Sequence, residues 1–412
     1  MYIDHGYHLS YCTNIHPGES WEEVFRNLQD YLPRLRQSLN PGKPFGIGLR
    51  LSDLASRELL QGDQLAVFKA WLSDNGLYVY TMNGFPYGGF HHEVVKDAVH
   101  KPDWTTTDRV DYTLRLAHIL AAILPRGIDG GISTSPLSYK PWHQEEEALQ
   151  STFRTSTEHL VQVVEELRKI KAATGKTIHI DIEPEPDGLL ENTAEVIAYF
   201  NEWLLPVGIK KLTATGISKE EAAEAIRTHI QLCYDVCHFA LAYEEPAVVF
   251  AQLQEAGIRI GKIQLSAALK VILPTRVEER SAIAKQLSSF VESTYLHQVV
   301  ERGENNQLTH YTDLPQALQQ LHKPEAREWR THFHVPLFTA AYNGLQSTQS
   351  DIEQVLALLK QYHVTNHLEV ETYTWEVLPQ ELKKELHESI RRELAWVLQT
   401  INHSNYAENS RN

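Results

Sequence analysis

The segment from Ile178 to Pro186 (IHIDIEPEP) alternates apolar and ionisable residues until two prolines stop it. On an extended chain successive side chains point to opposite faces, so His179, Asp181 and Glu183 share one face. A row of carboxylates inside an apolar strand is costly unless each is paired or a cation sits among them. Three further segments repeat the device. Asp235-Val236-Cys237-His238 puts an acid and an imidazole at the end of an apolar run, Glu369-Val370-Glu371-Thr372 puts two acids on one face, and His332-Phe333-His334-Val335 puts two imidazoles on one face. Taken singly, each has a structural explanation: a strand-end acid caps the next helix, and a histidine on an apolar strand is satisfied within the core. Taken together, Asp, Glu and His converging from several strands suit a divalent metal of borderline hardness (Mn, Zn, Fe or Co) or an acid/base pair.

Such convergence needs a fold that brings many strand ends together. Short β-branched or aromatic runs alternate with helical stretches along the chain. The predicted strands are Tyr7–Cys12, Phe45–Leu51, Leu77–Asn83, Gly130–Pro136, Thr177–Glu183, Leu232–Cys237, Ile260–Leu265, His332–Leu337 and His367–Thr372. Predicted helices cover Ser20–Leu39, where Ser20 and Glu23 have capping-box spacing, then Ser52–Asn75, Asp108–Leu124, Ser151–Thr174 and a closing stretch to Ile401. This alternation means βαβ units, and about eight of them favour a (β/α)₈ TIM barrel. An open doubly wound sheet predicts a Gly-rich phosphate turn after the first strand, and the sequence has none there.

Nine strand candidates compete for eight places. The stretch Val271–Arg330 is too long for a plain connection and reads as an insertion before the last strand. Within it, Tyr295–Arg302 and Leu308–Asp313 flank Gly303-Glu304-Asn305-Asn306 as a β-hairpin. The expected organisation is one barrel domain over residues 1–402 and a frayed polar tail over 403–412. In such a barrel the site forms at the C-terminal ends of the strands.

Composition narrows the function. The chain has 412 residues, 42% hydrophobic and 22% charged, which excludes a disordered segment or a coiled-coil rod. Its net charge of −15 argues against a nucleic-acid partner. Cys12, Cys233 and Cys237 are too few for a disulfide framework and lack zinc-knuckle spacing. No run is long and apolar enough for a membrane span, and the first residues carry no basic start and apolar core, so a cytoplasmic location is expected. The pair His91-His92 after Gly88-Gly89 reads as a polar loop.

The segments IHIDIEPEP, LCYDVCHFALAY, GKIQLSAAL and LEVETYT resemble strands five to eight of the xylose-isomerase-like barrels, which include sugar isomerases, sugar epimerases and AP endonucleases. The opening LSYCTNIHPGESWEEV, with HFHVPLF and LEVETYTWEVLP, is more specifically similar to the EboE-type metabolite traffic proteins, whose gene cluster is linked to export or maturation of secondary-metabolite precursors. The superfamily resemblance implies a metal held by Glu183, Asp235 and Glu371, with a fourth ligand from strand seven. That position holds Gln264, a poorer ligand than the usual histidine. Three outcomes stay open: Gln264 binds through its amide oxygen, His332 or His334 supplies the nitrogen, or the metal is lost and a pocket remains. His238 matches the Asp-x-x-His motif that orients substrate or binds metal. AP endonucleases also need histidines ending strands three and four, where Thr81-Met82-Asn83-Gly84 and Ser133-Thr134-Ser135-Pro136 have none.

The resemblance therefore implies an isomerase or epimerase acting on a sugar- or cyclitol-like metabolite. Glu183 and Glu371 exchange a proton α to a carbonyl while the cation stabilises the enediolate charge. His238, His332, Glu185, Asn83 and His16 are the candidates for holding substrate. Tyr80, Phe85, Tyr373 and Trp375 are candidates to cover sugar faces. Two alternatives are a non-catalytic metabolite carrier with a degenerate metal site, which Gln264 favours, and a metal-dependent hydrolase or lyase. A homo-oligomer is left open.

Overall fold

A parallel strand with apolar residues at alternate positions presents one face to covering helices and the other to the barrel interior. The computed structural model describes residues 1–3, 6–89, 95–342, 344–376, 378 and 385–409. In it, β1 (His8–Tyr11), β2 (Phe45–Arg50), β3 (Leu77–Asn83), β4 (Gly130–Thr134), β5 (Ile178–Ile182), β6 (Ile230–Asp235) and β7 (Ile260–Leu265) alternate with helices. A second sheet intervenes before the last barrel strand, β14 (His367–Val370). The order round the barrel is β1-β14-β7-β6-β5-β4-β3-β2. The parallel bridge Cys12–Gly48 brings β1 to β2, so the eight-stranded sheet is nearly closed. This is the expected (β/α)₈ barrel.

The outward residues Ile47, Leu49, Val79, Ile132, Ile180, Leu232, Ile263 and Leu368 are fully buried in one apolar cluster with Leu28, Leu116 and Leu160 of the surrounding helices. Inside, the usual fill of branched aliphatic residues is replaced by polar groups in tiers. His179, Asp181 and His367 sit at the N-terminal end. Asn83, Ser133, Lys262, Gln264 and Glu369 occupy the middle. Glu183, Asp235 and Glu371 lie at the C-terminal end, and all of these are buried. A Cβ at position 48 would stand 1.7 Å from Glu369 Oε1, so only glycine leaves room for the middle tier there.

The second sheet is antiparallel, ordered β10-β9-β11-β8-β13-β12. Its strands are β8 (Ala268–Ile272), β9 (Val299–Gly303), β10 (Leu308–Tyr311), β11 (Ala326–His334), β12 (Ala341–Tyr342) and β13 (Leu345–Ser347). β9 and β10 form the expected hairpin. The insertion is wider than Val271–Arg330, because β8 follows β7 after only Ser266-Ala267 and reads in the sequence as its continuation. His332–Leu337 is not a barrel strand: its start is the end of β11.

Other boundaries move for local reasons. Ser52–Asn75 is two helices, Asp53–Leu59 and Gln64–Asp74, parted where Gly62 adopts φ +57°. The sixth strand stops at Asp235 because that carboxylate caps the helix Val236–Leu241, accepting from the His238 amide at 3.2 Å. The capping box at Ser20 and Glu23 is present. The helix read as starting at Ser151 begins at Glu146. The last helix runs Leu386–Asn409, past the His403 boundary drawn for a tail. His91 and His92 lie outside the described residues. Among the described residues, no helix is long and apolar enough to cross a membrane.

Candidate active site

At the C-terminal mouth, Glu183 follows β5, Asp235 ends β6 and Glu371 follows β14. Glu183 and Glu371 line one pocket with Glu185, His238, Gln298 and His332. The wall opposite the barrel comes from the inserted sheet. The β8–β11 pairing shifts register between Thr331 and His334, and that irregularity turns the end of β11 toward the mouth.

The three acids crowd one another. Burial, then the charge of Asp235, pushes the Glu183 carboxyl up to about 8. Glu371 is raised well above the ordinary carboxylate range by burial and then by Glu183 and Asp235. Asp235 is the anionic member: burial works against it, but His238, His334 and the Ser266 hydroxyl outweigh burial and hold its pKa down. The Ser266 Oγ donates to Asp235 Oδ1 at 2.6 Å, and the Asn14 amide donates to Glu371 at 2.9 Å. Buried Glu185 is also raised, by burial and then by Glu183, and lies 3.5 Å from His100 Nδ1.

The imidazoles have their tautomers set by their partners. His334 Nδ1 donates to the Glu371 carbonyl at 3.0 Å, which leaves its Nε2 as a lone pair. That Nε2 is buried without a hydrogen bond, and Asp235 faces the Glu371 carboxyl, whose raised pKa lets it donate to Asp235. Asp235, Cys237 and His334 offer ligand atoms within 4.8 Å of one another, as do Glu183, Asp235 and His238, and His238, His332 and His334. His238 Nδ1 donates to the Pro184 carbonyl at 2.9 Å and His332 Nδ1 to Gln298 Oε1 at 3.0 Å. Their Nε2 atoms nevertheless face each other at 3.0 Å. At that distance one ring nitrogen donates to the other, so the tautomers of the two rings are linked. Burial, then the neighbouring His238, drives the pKa of His332 well below its ordinary value.

Gln264 lies a tier lower. Its Oε1 accepts from the Cys233 thiol at 3.0 Å and its Nε2 meets Asn83 Oδ1 at 3.3 Å. Asn83 belongs to the same tier, donating to Glu369 at 2.9 Å and accepting from Lys262 at 3.0 Å. His16 does not line the pocket: its Nε2 meets the Tyr11 hydroxyl at 2.9 Å and its ring packs against Tyr31. Phe85 and Tyr373 line the pocket, whereas Tyr80 and Trp375 do not. The pocket also takes Asn14, Lys96, His100, Tyr295 and Gln298, which the sequence reading passed over. Asn14 sits two residues from His16 in a segment already singled out. The others come from loops and from the insertion, where no periodicity marks them.

No family model and no curated protein matches the chain. Solved structures do. A xylose isomerase-like TIM barrel protein from Mycobacterium smegmatis, in complex with magnesium, is similar with a TM-score of 0.51 at 10% identity over 98% of this chain and 99% of that one. A D-tagatose 3-epimerase-like protein has a TM-score of 0.50 at 10% identity over 96% of this chain and 98% of that one. The likeness shows the fold, an α/β TIM barrel of xylose isomerase-like type.

Proposed function

We propose that the chain is a metal-dependent isomerase or epimerase of a sugar- or cyclitol-like metabolite, using Glu183 and Glu371 for proton transfer α to a carbonyl. The observation that carries this reading is the convergence of three buried carboxylates with the imidazole of His334, whose Nε2 has no hydrogen bond. That donor set fits a borderline divalent cation, Mn, Zn, Fe or Co. Glu183, Asp235, His334 and Glu371 would hold it. His334 takes the place left by Gln264, whose amide is committed to Cys233 and Asn83. When bound, the cation polarises the substrate carbonyl and lowers the barrier to losing the α proton.

The chain's own groups supply the rest. In the cation-free site burial, then Asp235, raises the Glu183 carboxyl to about 8, so its two protonation states lie close in energy, which suits it to take or return a proton. His238 from the barrel and His332 from the insertion, both lining the pocket, hold a substrate hydroxyl. Phe85 and Tyr373 cover an apolar sugar face. The resemblance of LSYCTNIHPGESWEEV and HFHVPLF favours a place among the EboE-type metabolite traffic proteins.

The test is metal content by plasma mass spectrometry for protein purified without chelators, beside Glu371→Ala, then exchange of the α proton of ketoses and cyclosugars in heavy water. Loss of about one equivalent in the variant and metal-dependent exchange in the parent are expected. Equal metal content in both proteins overturns the ligand assignment. A second reading, a non-catalytic carrier, is favoured by the loss of histidine at position 264. It predicts ligand binding that survives Glu371→Gln and no metal-dependent exchange.

A further inference from the structure

The opposite mouth of the barrel carries a second cluster that the proposed activity does not use. Asp129 immediately precedes β4, His179 is the second residue of β5 and His367 the first of β14. Their ligand atoms lie within 4.8 Å of one another. Asp129 Oδ2 is 3.5 Å from His179 Nε2, and Asp129 Oδ1 is 3.4 Å from His367 Nε2. These separations are long for a charge-assisted hydrogen bond, which runs about 2.7–2.9 Å. Each imidazole Nε2 faces a different oxygen of the Asp129 carboxylate, which leaves room between the three side chains for an ion. The His367 Nδ1 is buried without a hydrogen bond, and the one polar partner of its Nε2 is Asp129.

The surroundings are built to the same pattern. His179 Nδ1 meets Asp181 Oδ1 at 2.6 Å, the carboxylate–histidine pairing that fixes a ligating ring and turns its Nε2 outward. Glycines clear the space: a Cβ at position 131 would stand 2.8 Å from His179 Cε1 and 3.1 Å from His367 Nδ1, and one at position 261 would stand 1.9 Å from Asp181 Oδ1. The Asp129 side chain is 37% exposed, which leaves a solvent-side position for a fourth ligand and a route in.

We infer that Asp129, His179 and His367 form a second divalent-cation site, of a kind suited to Zn(II), at the N-terminal mouth of the barrel. The two nitrogens and one carboxylate oxygen favour zinc or cobalt over magnesium or calcium. The ion ties β4 and β5 to β14 across the barrel, so its role is to brace the floor beneath the polar interior.

The test uses the full chain, stripped with a chelator and titrated with Zn(II) or Co(II) against a chromophoric competitor. The proteins are the parent, Asp129→Asn, His367→Gln, Glu371→Ala and the Asp129→Asn/Glu371→Ala pair. Asp129 is at the rim, so its variant reports even if the buried His367→Gln fails to fold. Asp129→Asn loses about one equivalent, Glu371→Ala retains that equivalent with a tetrahedral Co(II) spectrum, and the double variant loses the spectrum. Asp181→Asn weakens the same equivalent by about 10- to 100-fold. If folded Asp129→Asn binds as the parent does in both backgrounds, or if folded Glu371→Ala binds no metal, the inference is overturned and the cluster is an ion-pair network of the protein alone. Failure of the upper site reads differently: the parent then binds about one equivalent, unaffected by Glu371→Ala and lost in Asp129→Asn.

Discussion

Glu369 and Glu371 stand two residues apart on one strand, on the same face, and both are buried. Glu369 accepts from Lys262 Nζ at 2.7 Å and from Asn83 at 2.9 Å, in a tier whose cation and anion are both fully buried. Glu371 has the Asn14 amide, but its other close neighbours are Asp235 and Glu183, acids like itself. The middle of the barrel therefore balances its own charge, while the upper mouth lacks enough positive charge for its acids. A balanced tier is structure. An unbalanced one takes protons or a cation from outside, and this distinguishes a site from a polar core.

The widest separation between the two tiers comes from neutralising each in turn. Glu371→Gln removes a proton-transfer group and a ligand, so metal-dependent α-proton exchange falls by about 10²- to 10⁴-fold. With chelator present its thermal stability does not fall, because the amide replaces a carboxyl crowded by Glu183 and Asp235. Exchange within a few-fold of the parent would remove Glu371 from the chemistry.

Lys262→Met does the reverse. It leaves Glu369 buried without its cation and destabilises the fold by about 3–5 kcal/mol in denaturant titration. If the loss is under about 1 kcal/mol, the middle tier is not held by this pair.

The sequence showed much of this unevenly. β3 and β7 matched to the residue, because each is a short apolar-rich run closed off by turn residues, Gly76 and Gly84 around β3 and Gly257 and Ser266 around β7. The acids Glu183, Asp235 and Glu371 were legible for the same reason: each interrupts an apolar run at a strand's end. The inserted sheet was legible only in its hairpin, since β12 and β13 are too short to carry a pattern. Lys262 was invisible as a buried cation, because Gly-Lys-Ile reads like a polar strand edge. His334 and Gln264 exchange parts for a reason no spacing shows: the β11 irregularity lifts one ring into the mouth, and the barrel stagger drops the other side chain a tier.

A third contrast lies in pH. Burial, then Asp235, raises the Glu183 carboxyl to about 8. The folded chain then keeps a proton that the unfolded chain gives up above its ordinary value of 4.5. That contribution to stability is complete below about pH 4.5 and disappears as pH climbs through about 8. With chelator present, the denaturation midpoint should fall from pH 6 to pH 9, estimated at about 1.4 kcal/mol per proton per unit at most. Cation affinity moves the other way, because binding must expel that proton, and gains about tenfold per pH unit per proton displaced. Calorimetry in buffers of different ionisation enthalpy counts the protons. A flat stability profile with pH-independent affinity would contradict the crowding of the three acids.

The smallest effect separates the tiers most finely. Gln264 occupies the strand position where the resemblance implies a ligand, yet its amide is spent on Cys233 and Asn83 and it does not line the pocket. If the cation is held by Glu183, Asp235, His334 and Glu371, then Gln264→Met changes its affinity by no more than about threefold, less than the roughly 10- to 100-fold lost with an outer-shell partner. His334→Ala costs more than that. The effect of Gln264→Met is on the fold, where Asn83 loses a donor worth about 1 kcal/mol. Competition titrations with Co(II) on both variants decide it. Should Gln264→Met lose the cation while His334→Ala keeps it, the ligand lies a tier lower than drawn, and the boundary between the balanced core and the unbalanced mouth moves down with it.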